Sequence, residues 1–417
     1  MIQELLAMEE ANIPFFHVDI ASEVLSRLSA KDLSSSKCVS KGWNSFISST
    51  SFLHILSKRL EREGPSGLFF QMFKDNVDCV SRPITYIPIH KNKSFVQNNI
   101  LKFLPEKVVI MSSCNGLLCC RSCIHPIDDI YRRAKNREAK ELVIYICNPM
   151  TKEWIALKPE GCVVGDSIGL AFYPFGYSLN TRPIFKLVSI QQSKVDPHLY
   201  SFAVYSSQTG SWTTSKEVCH CRYQIYKNNK VFVGKMFNWL TQNHHILSFD
   251  VERELSKVIK LPGEASSSLI LGCSEGYLHH VCVHGEDFSV WMLKDYSSSE
   301  WVLKYQVTLV DICQESYTDL THCNVKRRLL LAFHEDLLFM PMDRSLFSYN
   351  FRSRKLQQLC YISMLQDLIL SNPTVIPYSI SLTAAGVFKE DQSDENKSSE
   401  DPRDVSSLKI SKRKRTC

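Results

Sequence analysis

The sequence lacks an apolar run long enough to cross a membrane. Apolar stretches such as residues 268–273 and 329–333 hold only five or six residues, whereas a membrane-spanning helix needs about 20. The first residues carry Glu4, Glu9 and Glu10 where a secretory signal carries positive charge. We therefore expect a protein of the nucleus, the cytoplasm or both, with no membrane partner.

The chain also lacks the motifs of common enzyme classes. It contains no glycine-rich phosphate loop, no Gly-x-Ser-x-Gly nucleophile turn and no His-Glu-x-x-His helix. The sequence therefore gives little support to an enzyme, and we predict no catalytic residues and no cofactor. Because one fold can host both binding and catalysis, an enzyme or a sugar binder remains an alternative.

Neither charge nor cysteine is present in large excess. The formal net charge is +6 over 417 residues, which is too small and too dispersed to indicate nucleic-acid binding. Sixteen cysteines fall well below the density of a disulfide scaffold. We expect most of them to be reduced thiols that pack as small apolar side chains.

Some cysteines leave a zinc alternative open. Cys120 and Cys123 have the spacing of a zinc half-site, and residues 219–221 (Cys-His-Cys) could supply a second one. A structural zinc needs four ligands, and alternation along a strand turns Cys119 and Cys120 to opposite faces. We favour packed thiols and predict no metal site.

A second tract is rich in histidine. Alternation places His280, Cys282 and His284 on one face of a strand, with His279 on the other. A metal tract is one interpretation of this pattern. We favour the other, in which solvated histidines line the rim of a strand.

Residues 13–63 have the apolar periodicity of three short helices. In the first, Ile20, Val24, Leu25 and Leu28 recur at helical spacing and predict one apolar face. Three short helices bury little surface, so this module is expected to lean on a partner or on the next domain.

From residue 67 to residue 388, short apolar runs alternate with Gly, Asn, Ser and Asp, which predicts strands and turns. A strand–turn–strand unit recurs at residues 142–157, 202–215, 246–261, 289–303 and 345–359. Such repeats are typical of propeller blades, and each hairpin would form the outer strand pair of one blade. A non-repetitive β-sandwich array is the alternative. The predicted fold is an α+β multidomain chain, with a three-helix module before an all-β propeller-like domain.

Residues 389–417 contain almost no large apolar side chains, so we expect this tail to be disordered. Its basic residues have two interpretations, a nuclear import signal or an uninformative basic end. They are Lys409, Lys412, Arg413, Lys414 and Arg415.

Residues 16–59 closely resemble the plant F-box. The matching positions occur in order and without gaps: Asp19, Glu23, Leu25, Ser26, Arg27, Leu28, Lys31, Leu33, Cys38, Val39, Lys41, Trp43, Ile47 and Phe52. The chain departs from the family pattern at its opening Leu-Pro, replaced by Phe16 and His17, and at a later proline, replaced by Ser29.

The middle of the chain resembles the F-box-associated β domain of plant proteins, which is related to kelch-type propellers. Residues 113–118 (Ser-Cys-Asn-Gly-Leu-Leu) and 147–154, with Asn148, Pro149 and Trp154, carry this resemblance. The chain contains no Gly-Gly pair. We therefore expect a propeller-like domain without true kelch repeats.

This resemblance implies the substrate-recognition subunit of an SCF-type cullin ubiquitin ligase, acting in ubiquitin-dependent protein degradation. The F-box would bind a Skp-type adaptor and, through it, cullin, while the β domain would bind a target protein. The subunit itself would be non-catalytic. An interaction protein that works outside the ligase is the alternative.

Eight apolar residues of the helical module are candidates for adaptor binding, because aromatic and aliphatic patches are typical of interface cores. They are Phe16, Ile20, Val24, Leu33, Val39, Trp43, Phe46 and Phe52. The alternative is that some of them only pack the helices together.

The basic segment at residues 131–141 is the candidate for target binding. Its side chains Arg132, Arg133, Lys135 and Arg137 could pair with carboxylates or phosphates. The alternative is an ordinary solvated loop.

Overall fold

The computed structural model describes residues 18–28, 30–71, 84–89, 96–98, 100–123, 142–159, 167–175, 183–263, 266, 268–314, 330–342, 344–365 and 373–381. The N-terminal module consists of α1 (Val18–Ser26), α2 (Ala30–Ser36), α3 (Lys41–Ile47) and α4 (Thr50–Glu63). Among the helices of the described residues, none combines the length and the apolar character that a membrane crossing requires.

The second of the three predicted helices is in fact two helices, α2 and α3. The chain leaves helical structure at residues 37–40, where Ser40 begins a new helix by accepting a hydrogen bond from the Trp43 N–H at 3.1 Å. Ser49 caps α4 in the same way, through the Phe52 N–H at 3.4 Å. Serine side chains satisfy amide groups that a helix start leaves unpaired, which explains the extra break.

The four helices share one small apolar core. It consists of Ala21, Leu25, Leu33, Phe46, Ile47, Phe52 and Leu56. Arg59 of α4 also donates a hydrogen bond to the carbonyl of Ser26 at the end of α1. The first and last helices are therefore held together by packing and by one polar contact.

The described part of the β domain contains 24 strands. The first half comprises β1 (Gly67–Gln71), β2 (Thr85–Pro88), β3 (Gln97–Asn98), β4 (Val108–Cys114), β5 (Leu117–Ser122), β6 (Ile144–Asn148), β7 (Glu153–Leu157), β8 (Ser167–Tyr173), β9 (Ile184–Gln192), β10 (Leu199–Ser206), β11 (Ser211–His220) and β12 (Ile225–Val233). The second half comprises β13 (Met236–Thr241), β14 (His245–Asp250), β15 (Leu255–Lys260), β16 (Leu269–Ser274), β17 (Tyr277–His284), β18 (Asp287–Asp295), β19 (Glu300–Thr308), β20 (Ala332–His334), β21 (Leu337–Met342), β22 (Ser345–Asn350), β23 (Lys355–Tyr361) and β24 (Thr374–Tyr378). Helix α5 (Leu309–Gln314) and a 3-10 turn (Ile362–Leu365) lie after β19 and β23.

These strands form six antiparallel four-stranded blades. Blades 2 to 6 are β4–β7, β8–β11, β12–β15, β16–β19 and β20–β23, each in chain order. Blades 5 and 6 are also joined by a short parallel pairing of β16 with β20, which aligns Gly272 with Phe333 and Cys273 with His334. The first strand of each of these blades is called its inner strand below.

Blade 1 combines the two ends of the domain. Its order is β24-β1-β2-β3, so the last of the described strands is the inner strand of the first blade. Residues Gly67 to Gln71 pair with Tyr378 to Thr374. Around the axis, each inner strand contacts the next, including β20 with β24 and β24 with β4. The ring is therefore closed, and its closure is made by β24.

An apolar cluster fills each of the six gaps between neighbouring blades. Phe172 and Phe185 lie between blades 2 and 3, and Phe202 and Trp239 lie between blades 3 and 4. Four further clusters fill the other gaps. The core is thus divided into six sectors, and each blade is held by its two neighbours.

The predicted propeller-like fold is confirmed. All five repeated hairpins form outer strand pairs, in blades 2 to 6. The repeat did not indicate blade 1, because its strands come from opposite ends of the domain and share no continuous hairpin unit.

Candidate functional site

Helix α1 and the two residues that follow it carry a stripe of exposed aliphatic side chains. Ile20, Val24 and Leu28 follow one another at four-residue spacing and are 52%, 55% and 37% exposed. Ala21 and Leu25 lie on the other side and are buried in the module core. The apolar face predicted as one surface is therefore two. One part packs inward, and the other, here called the α1 stripe (Ile20, Val24 and Leu28), faces solvent.

Another exposed aliphatic residue follows α2. Val39 lies in the turn between α2 and α3, and 71% of its surface is exposed. Beside the α1 stripe, Arg27 and Glu23 form an exposed ion pair, with Nε and Oε1 separated by 3.1 Å. Apolar side chains with a polar rim are the composition of a protein-binding surface.

The structure divides the predicted adaptor-binding residues into three groups. Ile20, Val24 and Val39 are exposed, and Trp43 is half-buried against the module core. Phe16 lies outside the described residues. The other three residues of the prediction are buried in the free chain.

Leu33, Phe46 and Phe52 are 0%, 5% and 1% exposed. They offer an adaptor almost no surface because they fill the small core that holds the four helices together. Their contribution is to the fold of the module, and helical spacing alone could not distinguish that contribution from a docking role.

Helix α4 rests on the β domain. The ring of His54 contacts Phe175 at a centroid distance of 5.2 Å, and Met150 packs against the module core. Phe175 follows β8, and Met150 lies in the turn between β6 and β7. The module thus covers the face of the ring at which the inner strands end, here called the module face. The opposite face is called the open face.

A channel runs along the axis of the ring. Its cavity measures about 1590 Å³ and is lined by residues of all six inner strands. Ser57, Lys58 and Leu60 of α4 also line it, so the helix covers the mouth at the module face. The N-terminal module therefore lies directly over one end of the channel.

The described residues on either side of the basic segment predicted to bind the target lie at the open face. Strand β5 runs away from the turn at Asn115 and Gly116 on the module face, and its end at Ser122 bonds to Val143 before β6. The segment between them is therefore attached at the open face. Arg132, Arg133, Lys135 and Arg137 themselves lie outside the described residues, as does the tail at residues 389–417.

The cysteines considered as zinc half-sites lie among apolar side chains. Cys119 and Cys120 are both fully buried and belong to different clusters on the two sides of blade 2, which confirms the predicted alternation. Burial raises the pKa of the Cys119 thiol to about 12. Cys219 and Cys221 are buried between blades 3 and 4.

The favoured interpretation of the histidine tract is wrong for two of its residues. His279 and His280 are 0% and 1% exposed, because β17 is the second strand of a blade that is covered on both faces. The ring of His279 lies against Phe333 and that of His280 against Trp301. Burial lowers the pKa of each imidazole to about 4.

These two histidines should make the protein sensitive to acid. In the unfolded chain they bind protons below a pKa of about 6.5, whereas in the folded protein they stay neutral until about pH 4. Above about pH 6.5 the two histidines do not reduce the free energy of unfolding. As the pH falls towards 4, each lowers the free energy of unfolding by up to roughly 3 kcal/mol. Thermal unfolding of His280→Gln between pH 7.5 and pH 4 should show a smaller decline than the wild type.

The exposed His198 supplies the control for this measurement. His198→Gln should keep the wild-type pH dependence, because His198 is exposed and belongs to none of the apolar clusters between the blades. An unchanged pH dependence in His280→Gln would contradict the assignment.

Three potential metal ligands that the sequence did not suggest meet at the module face of the channel. They are Cys273, His334 and Glu335, and the Cys273 Sγ lies 3.1 Å from the His334 Nδ1. Cys273 is about 60 residues from the other two, so no local spacing connects them. Only the parallel pairing of β16 with β20 brings them together.

Next to these residues lies a buried carboxylate, that of Asp336, which is fully buried. It accepts hydrogen bonds from Ser274 Oγ at 2.9 Å, Lys304 Nζ at 3.1 Å and Arg352 Nε at 2.7 Å. Burial acts to raise the pKa of Asp336, but the hydrogen bonds from Lys304 and Ser274 and the nearby positive charges outweigh it and hold the pKa below its usual value. This cluster bridges blades 5 and 6.

Comparison with known proteins finds a match for the helical module and a match for the propeller. Residues 17–55 match the F-box domain, and residues 90–359 match the family described as "F-box protein At3g26010-like, beta-propeller". The second match covers more than half of the chain. The chain therefore belongs to this family, and the predicted resemblance to plant F-box proteins with a kelch-related β domain is confirmed.

Its relatives in Arabidopsis thaliana are also F-box proteins. F-box protein At5g49610 is 24% identical over 360 residues, which cover 79% of this chain and 89% of that protein. F-box protein At5g07610 is 25% identical over 403 residues, with 84% and 86% covered. F-box/kelch-repeat protein At3g23880 is 21% identical over 306 residues, with 68% and 76% covered.

Proposed function

We propose that the chain is the substrate-recognition subunit of an SCF-type cullin ubiquitin ligase and acts in ubiquitin-dependent protein degradation. The F-box binds a Skp-type adaptor and, through it, cullin, and the propeller binds the target protein. The subunit carries out no bond chemistry. It raises the local concentration of the target's lysines near the conjugating enzyme.

One observation gives this proposal its main support: the chain combines an F-box that exposes an apolar surface with a closed propeller that follows it. The α1 stripe and Val39 leave 37–71% of their surface in water, and covering that remaining surface yields a corresponding share of the roughly 1.5–3 kcal/mol that full burial of a Val, Leu or Ile side chain contributes. Because the module core is already filled by other residues, these side chains are available to a partner without unfolding the F-box.

The double variant Val24→Asp with Val39→Asp tests adaptor docking. A carboxylate buried without a partner in an interface is strongly unfavourable, so we expect affinity for the Skp-type adaptor to fall more than about 100-fold. Co-purification and calorimetric titration of the full chain with the adaptor measure this. Both residues are exposed, so the melting temperature should stay close to that of the wild type.

Val195→Asp is the matched control, because Val195 is 96% exposed and lies in the β9–β10 loop of the open face. It should bind the adaptor like the wild type. Wild-type binding by the double variant would show that another surface docks the adaptor. Failure of the wild-type chain to bind would favour the interaction protein that works outside the ligase.

The two faces of the ring are suited to different roles, one to holding the F-box and the other to binding the target. The module face is occupied by α4, and only residues 64–66 separate α4 from β1. Ser66 bonds to Tyr378 and Ile89 and, through its Oγ, to Ile380, so the short connection is held by strands of blade 1. The F-box and the ring are therefore coupled closely, and the open face is left for the target.

We infer that the basic segment at residues 131–141, whose flanking strands end at the open face, contributes to target binding. Arginine can grip a carboxylate or phosphate with two hydrogen bonds, so the triple change Arg132→Ala, Arg133→Ala and Arg137→Ala should weaken target capture by a few kcal/mol. Proximity labelling in cells compares the proteins captured by this variant and by the wild type. Adaptor binding should be unchanged, and an unchanged set of captured proteins would identify the segment as an ordinary solvated loop.

A further inference from the structure

The end of the channel under α4 contains a thiol, an imidazole and a carboxyl group in close proximity. Cys273 and His334 are aligned partners on β16 and β20, and their Sγ and Nδ1 atoms are 3.1 Å apart. Glu335 follows His334, and one ligand atom from each of the three side chains lies within 4.8 Å of the others. All three side chains are partly buried and line the cavity.

The backbone holds these groups in place. The Glu335 N–H donates to the Cys273 carbonyl at 2.8 Å, and the Glu335 Oε2 accepts from the Glu275 N–H at 3.2 Å. Glu335 and Asp336 form a two-residue turn between β20 and β21, with φ values of 48° and 58°. Both values are typical of a tight hairpin turn. Strand ends and a tight turn are a rigid support for a binding site.

We propose that Cys273, His334 and Glu335 bind one Zn²⁺ ion. Thiolate, imidazole and carboxylate are the three side-chain groups that zinc prefers. In a tetrahedral site with Zn–S of about 2.3 Å and Zn–N of about 2.0–2.1 Å, sulfur and nitrogen are about 3.5 Å apart. The observed 3.1 Å needs only a small side-chain adjustment. Because all three ligands line the channel, a water molecule from the channel would supply the fourth ligand.

The charges of these ligands suit a divalent ion. A thiolate and a carboxylate supply two negative charges, so the site with Zn²⁺ is neutral, which favours it in a partly buried place. A cysteine binds zinc as the thiolate, so the Cys273 thiol must lose its proton on binding. Zinc affinity should therefore fall as the pH decreases.

The site would also strengthen the ring. Blades 5 and 6 share only two aligned residue pairs between β16 and β20 among the described residues. A zinc ion with ligands on both strands would cross-link the blades next to the F-box helix. Bound metal should therefore raise the melting temperature, because it binds the folded chain and not the unfolded one.

The test uses the full chain, stripped of metal by dialysis against a chelator and then titrated with Zn²⁺ alone. We expect about one zinc ion per chain and a higher melting temperature. Cobalt(II), added in place of zinc, should give the near-ultraviolet absorption of a thiolate-to-cobalt bond. Cys273→Ser and His334→Asn should each weaken zinc binding more than about 100-fold, since loss of a supporting residue alone costs 10–100-fold.

Two cysteine variants serve as matched controls. Cys282→Ser alters a buried thiol of β17 in the same blade, and Cys120→Ser alters one of the spaced pair in blade 2. Both should keep stoichiometric zinc. Loss of zinc in Cys120→Ser with retention in Cys273→Ser would overturn the proposal. Absence of both zinc and the cobalt absorption in the wild type would overturn it even if the ligand variants fail to fold.

Discussion

Asp336→Asn is expected to lower the free energy of unfolding by about 3 kcal/mol, the low end of the cost of breaking a buried ion pair. The change removes a negative charge that is fully buried and that faces Lys304 and Arg352. The side chain of Lys304 is only 18% exposed, so its charge would keep little solvent compensation. Glu275, which also pairs with both cations, would remain and limit the loss.

Asparagine is the informative replacement at this position. The backbone of Asp336 has a φ of 58°, which asparagine tolerates better than alanine, so the effect reports the charge and not the backbone. Urea unfolding of the full chain measures it, with Lys294→Met as the control, because Lys294 forms only an exposed pair with Glu300. Equal stability of Asp336→Asn and the wild type would show that the cluster contributes no net stability.

Removal of β24 should have a still larger effect. A chain that ends at residue 372 loses the inner strand of blade 1 and with it the link between β20 and β4. It also loses Tyr378, a buried residue that packs against Phe69 at 5.3 Å and donates a hydrogen bond to the Gly116 carbonyl at 3.2 Å. The loss should exceed about 5 kcal/mol, comparable with the whole stability of many domains.

A chain that ends at residue 388 is the control for this truncation, because it removes the predicted tail and keeps β24. Cooperative thermal unfolding and resistance to limited proteolysis should persist in the control and disappear in the shorter chain. Melting of the shorter chain within a few degrees of the wild type would mean that the ring does not depend on its closing strand.

The outer hairpins were predictable because each carries its own signal. Trp154 and Trp212 open the second strand of a hairpin after a polar turn, and such local patterns do not depend on the rest of the fold. Blade 1 was not predictable in this way. The pairing of Gly67 with Tyr378 joins residues far apart in sequence, and no local pattern reports such a pairing.

The candidate sites also depend on contacts between residues that are far apart in sequence, which local patterns do not predict. Helical spacing identified Ile20, Val24 and Leu33 as apolar residues of the F-box, but it could not tell which of them the module core would bury. The answer depends on how four short helices pack, as the burial of Leu33 shows. Cys273 and His334 became neighbours only through contact between two blades, so their proximity could not be read from the sequence.

The closing strand also fixes the order in which the protein can mature. The ribosome completes α4 by Glu63, whereas β24 begins only at Thr374, and nascent domains generally fold from the N-terminal end. The F-box helices can therefore form, and could bind the adaptor proposed above, while most of the ring has yet to be translated. Until the last strand emerges, β1 and β4 lack their shared neighbour, and the nascent chain has an open edge that can pair with other strands. Early adaptor binding would leave the F-box end of the nascent chain protected during the period when the unfinished ring is most prone to aggregation.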